Sequence, residues 1–205
     1  MVVTGKTLSL STTAGQAWSH YRSSLKRAPL LTKSITSFVG FGVGDIIAQV
    51  ACGGGKKKFD LKRTAHLAIF GGALAGPIAH YWFCALDQRI MAHNPKHPVA
   101  IITKATLDQI IMAPLGNCIF YTAMCTMRGV PGQSMAEIEE KLVPTVLSSY
   151  KLWPAAHLIN FALIPSHMRV LYINIVSIFW AGMLSTISNR KPAQENVKEM
   201  ATCTI

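Results

Sequence analysis

Asp45 and Gln49 stand one helical turn apart inside an apolar run, and Lys104 with Asp108 and Gln109 repeats that arrangement farther along the chain. An i, i+4 spacing puts both side chains on one face of a helix. Charge within a membrane span is costly and faces the bundle interior or a water path. The chemistry open to these groups is ion attraction, hydrogen bonding or proton transfer. Asp45 and Gln49 either line a hydrophilic pathway or make buried interhelical hydrogen bonds. Lys104 and Asp108 are spaced to pair within their own helix, which lowers the cost of burial, or to act as a gate. His80, Asn160 and Arg169 complete the interior polar candidates. His80 is a packing residue or a proton relay. Arg169 either counters a buried acid such as Asp45 or Asp108, or reaches the lipid headgroups. Asp87 and Arg89 close an apolar segment and read as interface anchors.

Covalent and metal chemistry find no support. His93 and His97 are four apart, but Pro95 lies between them and no Glu follows His93, so the H-E-x-x-H metal helix is excluded. The Gly53–Lys58 stretch has Val50 and Lys57 where a phosphate loop needs Gly and Ser or Thr. No nucleophile elbow, nicotinamide or flavin fingerprint is present. The cysteines Cys52, Cys84, Cys118, Cys125 and Cys203 form no C-x-x-C pair and lie mostly in apolar segments. They read as reduced thiols that pack as small hydrophobes. A non-enzymatic protein without metal or cofactor is the expectation.

The elements that position the polar residues must be membrane helices. Half of the residues are apolar and 14% are charged, against about 25% in a soluble domain. About 20 apolar residues cross the hydrocarbon core. Four segments meet that length: Ser34 to Gly55, Thr64 to Leu86, Gln109 to Met127 and Val170 to Asn189. Gly40 and Gly44 in the first, and Gly72 and Gly76 in the second, make small-x-x-x-small faces for close helix packing. Pro77 then predicts a kink. A further helix is expected from about Ser134 through Phe161, polar at first and apolar later, ending before Pro165. Residues 16–28 suit an amphipathic helix at the interface.

The chain thus divides into a basic N-terminal arm over residues 1–30, a membrane bundle over 31–190 and a polar tail over 191–205. Four spans would bring both termini to one side. The formal net charge is +11, with the Lys and Arg residues at the ends of apolar runs. That placement favours a lipid bilayer over nucleic acid as the partner. The first 30 residues contain no acid and no secretory signal core.

Several of these residues fall in longer patterns. They include Trp18-x-x-Tyr21-x-x-x-Leu25-x-x-x-Pro29, Gly44-Asp45-Ile46-Ile47-Ala48-Gln49, Gly76-Pro77-x-x-His80-x-Trp82 and Lys104-x-x-x-Asp108-Gln109 with Pro114. The most specific block is Trp153-Pro154-x-x-x-Leu158-x-Asn160-Phe161-x-x-x-Pro165-x-x-x-Arg169. Together these resemble a family of small four-span organellar proteins: the Mpv-seventeen type of the mitochondrial inner membrane and the twenty-two-kilodalton peroxisomal membrane protein. Two positions depart from its pattern, with His157 where Gln is common and Tyr150 where Trp is common. The resemblance implies an all-α membrane bundle acting as a weakly selective channel for small solutes. It also implies a part in reactive-oxygen metabolism and in nucleotide supply for mitochondrial DNA. Beyond the bilayer and small solutes, the expected partners are further copies of the chain or a membrane complex. The mitochondrial inner membrane is the expected location, with the peroxisomal membrane as the alternative.

Overall fold

A computed structural model describes residues 5–52 and 59–188. The Gly53–Lys58 turn and the 191–205 tail lie outside the described residues. Helices joined by short turns make up the described chain. Helix α1 (Gly5–Arg27) turns an acute corner at Ala28 into α2 (Pro29–Cys52). Pro29 opens α2, where a missing N–H costs nothing. Tyr21 and Thr36 hydroxyls meet across the corner at 3.2 Å. Helix α3 (Leu61–Arg89) and helix α4 (Pro98–Met127) are the long rods, and with α2 they are long and apolar enough to cross a membrane. Asp60 caps α3 by accepting from the Arg63 N–H.

Both rods contain one wide turn, Gly71–Ala75 in α3 and Asp108–Met112 in α4. There the N–H of Gly76 bonds to the Gly71 carbonyl, and that of Ala113 to the Asp108 carbonyl, five residues back. Pro77 and Pro114 follow directly. A proline lacks the N–H its helix expects and crowds the carbonyl four back, and a single π-turn absorbs that mismatch. The kink expected at Pro77 therefore takes this form, and Pro114 has the same effect.

The expected single helix from Ser134 through Phe161 is two helices, α5 (Ser134–Ser149) and α6 (Trp153–Leu163). Pro154 stands in the first turn of α6, so no N–H there can continue the ladder of α5. The pair still runs antiparallel to α4. Arg128 binds Glu137, Tyr121 meets Thr145, and Asp108 meets His157 in order along both. The last helix, α7 (Arg169–Ser188), packs extensively on α2. Counting the α5–α6 pair, the chain traverses the bundle five times. The start of α2 and the end of α7 thus lie at opposite ends, unlike the expectation from four spans.

The exterior is apolar. Leu31, Val50, Tyr81, Ile102, Ile110, Leu163 and Phe179 are all exposed. The interior instead holds Lys33, Asp45, Lys104, Asp108, Gln109, His157, Asn160 and Arg169. A polar interior under an apolar surface is the arrangement a bilayer demands. The glycines meet α2 closely. A Cβ on Gly71 would lie 2.6 Å from the Ser37 carbonyl oxygen, and one on Gly76 would lie 2.9 Å from the Ser34 Cα. Gly72 faces Phe38, Gly40 faces Asn174 and Gly44 faces Ile178. Across α2 and α7, Asn174 Nδ2 donates to Ser37 Oγ at 3.0 Å.

Candidate functional site

The buried polar groups sort into separate clusters at different depths. The first joins α2 to the start of α3. Asp45 Oδ2 accepts from Thr64 Oγ1 at 2.6 Å and from Gln49 Nε2 at 2.7 Å. Arg63 Nε lies 2.9 Å from Oδ1, a close charge contact without an aligned hydrogen bond. Gln49 also clamps the loop, because its Oε1 accepts from the Asp60 N–H at 2.7 Å. The donors to Asp45 are thus an amide, a hydroxyl and Arg63. Lys104 and Arg169 are elsewhere.

Those two cations converge on Asp87. Lys104 Nζ donates to Oδ1 at 2.8 Å, and Arg169 Nη1 reaches both oxygens at 2.7 and 2.6 Å. Ser166 Oγ adds a bond to Oδ2 at 2.7 Å. Asp87 is therefore the hub that ties α3, α4 and α7 together, and not the interface anchor expected from its place at a segment end. Phe83, Leu86, Ala105, Phe161 and Val170 form the apolar core around it, and the Phe161 ring lies 4.9 Å from the Arg169 guanidinium carbon. Lys104 does not pair with Asp108, its i+4 neighbour.

Asp108 instead faces inward from the wide turn of α4. Trp82 Nε1 donates to its Oδ1 at 2.8 Å, and His157 Nε2 lies 2.9 Å from its Oδ2. Gln109 Nε2 adds a bond at 3.2 Å, and the Gln109 carbonyl accepts from the Tyr150 hydroxyl at 3.3 Å. His157 and Tyr150 thus both serve as polar partners to the wide turn of α4. His80 lies apart from these acids. Its Nδ1 is 2.9 Å from Lys33 Nζ, a hydrogen bond between α2 and α3. Asn160 is fully buried on α6 and makes no side-chain hydrogen bond among the described residues.

A cavity of about 1280 Å³ lies between the first and third clusters. Asp45, Gln49, Asp60 and Arg63 line one part, and Asp108, Gln109 and His157 another. Trp82, Trp153 and Trp180 contribute aromatic wall. Lys104, Arg169, Asp87, His80 and Asn160 do not line it. Among the described residues the lining carries three carboxylates, Asp45, Asp60 and Asp108, against one guanidinium, Arg63, a balance that favours cations. Sequence reasoning missed Arg63, Thr64, Trp82 and His157 as parts of this site. Among the described residues no group of His, Cys, Asp and Glu is placed to hold a metal.

A profile of the Mpv17 / PMP22 family matches residues 125–185. Protein SYM1 of Kluyveromyces lactis is 35% identical over 179 residues, which cover 86% of this chain and 92% of that protein. The chain belongs to the Mpv17 / PMP22 family. Protein SYM1 of Saccharomyces cerevisiae is 34% identical over 182 residues, 86% of this chain and 92% of that one. PXMP2/4 family protein 4 of Dictyostelium discoideum is 34% identical over 179 residues, 84% of this chain and 94% of that one. No solved structure matches the chain. The chain is a polytopic helical membrane protein of an organelle.

Proposed function

We propose that the bundle is a weakly selective, cation-preferring channel for small solutes and carries out no covalent chemistry. The observation that carries this reading is the cavity of about 1280 Å³, lined by Asp45, Asp60 and Asp108 inside a lipid-facing bundle. A scaffold needs no such volume, because close packing of helices is itself favourable. Acid rings in a wet path raise the local concentration of cations, and aromatic walls tolerate them. The location is the mitochondrial inner membrane, which the acid-free basic arm suits, with the peroxisomal membrane as the alternative. The wider role in reactive-oxygen metabolism and nucleotide supply rests on the family resemblance.

Purified protein in a planar bilayer under a potassium chloride gradient tests this. Discrete conductance steps and a reversal potential on the cation side are expected. Asp45→Asn should move that potential toward zero. A second reading, a non-conducting scaffold, draws on the hydrogen bonds that Asp45 accepts from Thr64 and Gln49 and on its charge contact with Arg63. An unchanged reversal potential with a lower melting temperature in Asp45→Asn would support the scaffold and remove Asp45 from the path.

A further inference from the structure

On the outside of the bundle, the crook between α1, α2 and α7 encloses a groove of about 690 Å³, separate from the central cavity. Leu31, Ile35, Val39 and Val43 form one wall at four-residue spacing, and all four are exposed. Leu171, Ile175 and Ile178 of α7 form the other wall. Twelve residues of helix rise about 18 Å, so the wall is a straight apolar channel roughly as long as a fatty acyl chain. Among the described residues Arg27 is the one charged residue that lines the groove, and it sits at the corner where α1 meets α2. Ser24 adds a hydroxyl beside it, one turn back on α1.

Among the described residues the charge at that corner has no acidic partner. The first acidic residue of the sequence is Asp45, and α7 contains no acid. Arg27 also precedes the apolar span that starts at Pro29, which sets its guanidinium at the level of lipid phosphates while the aliphatic wall descends into the hydrocarbon. A cation at headgroup depth above an apolar groove matches one molecule, a phospholipid with net negative charge. A zwitterionic lipid would satisfy the groove but would bring its own cation to Arg27.

We infer that this crook is a binding site for an anionic phospholipid, with its phosphate on Arg27 and one acyl chain along Leu31, Ile35, Val39 and Val43. The site fixes α1 against the bundle by filling the space between them. It does not depend on the central cavity or on conduction.

The test uses the full chain in phosphatidylcholine vesicles containing spin-labelled phosphatidylglycerol or spin-labelled phosphatidylcholine at a trace level. Electron paramagnetic resonance reads the motionally restricted fraction of each. Wild type should restrict phosphatidylglycerol more than phosphatidylcholine. Arg27→Gln should cut that preference about fivefold, the factor one basic side chain contributes at a membrane surface. Val39→Trp should fill the groove and lower restriction of both lipids. Lys96→Gln, in the exposed loop after α3, should change nothing. Equal restriction of the two lipids by wild type would overturn the site. So would an equal loss in Lys96→Gln, which would mean general surface attraction.

Discussion

Asp87 accepts hydrogen bonds from Arg169 Nη1 on both carboxylate oxygens, at 2.7 and 2.6 Å, across 82 positions of sequence. Lys104 shares the same carboxylate and has no exposed side-chain area at all. Two buried cations thus depend on one anion, and the cost of removing it is the cost of leaving them unpaired. Asp87→Asn should destabilise the protein by about 3–5 kcal/mol. Lys104→Met should cost less, because Arg169 and Ser166 still satisfy Asp87. Melting temperatures in detergent check both, and equal losses would mean that the hub is not organised around Asp87.

The close approach of α3 to α2 makes a second prediction. Gly71→Ala puts a methyl where 2.6 Å separates the built Cβ from a backbone oxygen, so the helices must part. Overpacking of this kind costs about 1–3 kcal/mol. Gly76→Leu should be worse, since it adds a whole isobutyl group where the built Cβ is already 2.9 Å from the Ser34 Cα. Gly132→Ala, with nothing within 4 Å, is the neutral control. Thermal stability in one detergent ranks the three.

The corner between α4 and α5 is held by Arg128 and Glu137 at 2.6 Å. The Arg128 guanidinium beside Glu137 holds its carboxyl below the usual range. A depressed carboxylate contributes stability above its unfolded pKa and loses it as pH falls through the folded one. The corner should therefore loosen only in acid, below the ordinary glutamate range. Arg128 is 45% exposed, so the pair is worth about 0.2–1 kcal/mol. Amide hydrogen exchange at residues 128–137, compared for wild type and Glu137→Gln, should show the pH step in wild type alone.

The sequence marked which residues are buried and charged, because an acid or lysine in an apolar run has few other places to go. It did not mark their partners. The i, i+4 spacing of Lys104 and Asp108 argues for a local pair, yet the wide turn beginning at Asp108 opens the helix there, and each residue finds a partner on another helix. Asp87 and Arg169 meet only because the bundle folds that way, and spacing along one helix says nothing of contacts 82 residues apart. The break between α5 and α6 was legible in Pro154, whose place in a first helical turn conflicts with one continuous helix. Arg63 and Thr64 stand at the very start of the second apolar segment, where nothing in the spacing points to Asp45, so their contacts with it emerge only in three dimensions.

The central claim is that solutes pass through the cavity between the Asp45 and Asp108 clusters. Gly116 lines that cavity, and a Cβ there would meet only the Met112 sulfur at 4.0 Å. Gly116→Phe should plug the space without disturbing the walls, and should hold or slightly raise stability because Gly is the poorer helix former by roughly 0.5 kcal/mol. The deciding measurement is single-channel conductance in planar bilayers for wild type and Gly116→Phe. The account predicts discrete steps from wild type and a severalfold smaller conductance from a variant of undiminished melting temperature. Equal conductance from the two proteins, or none from folded wild type, would contradict it.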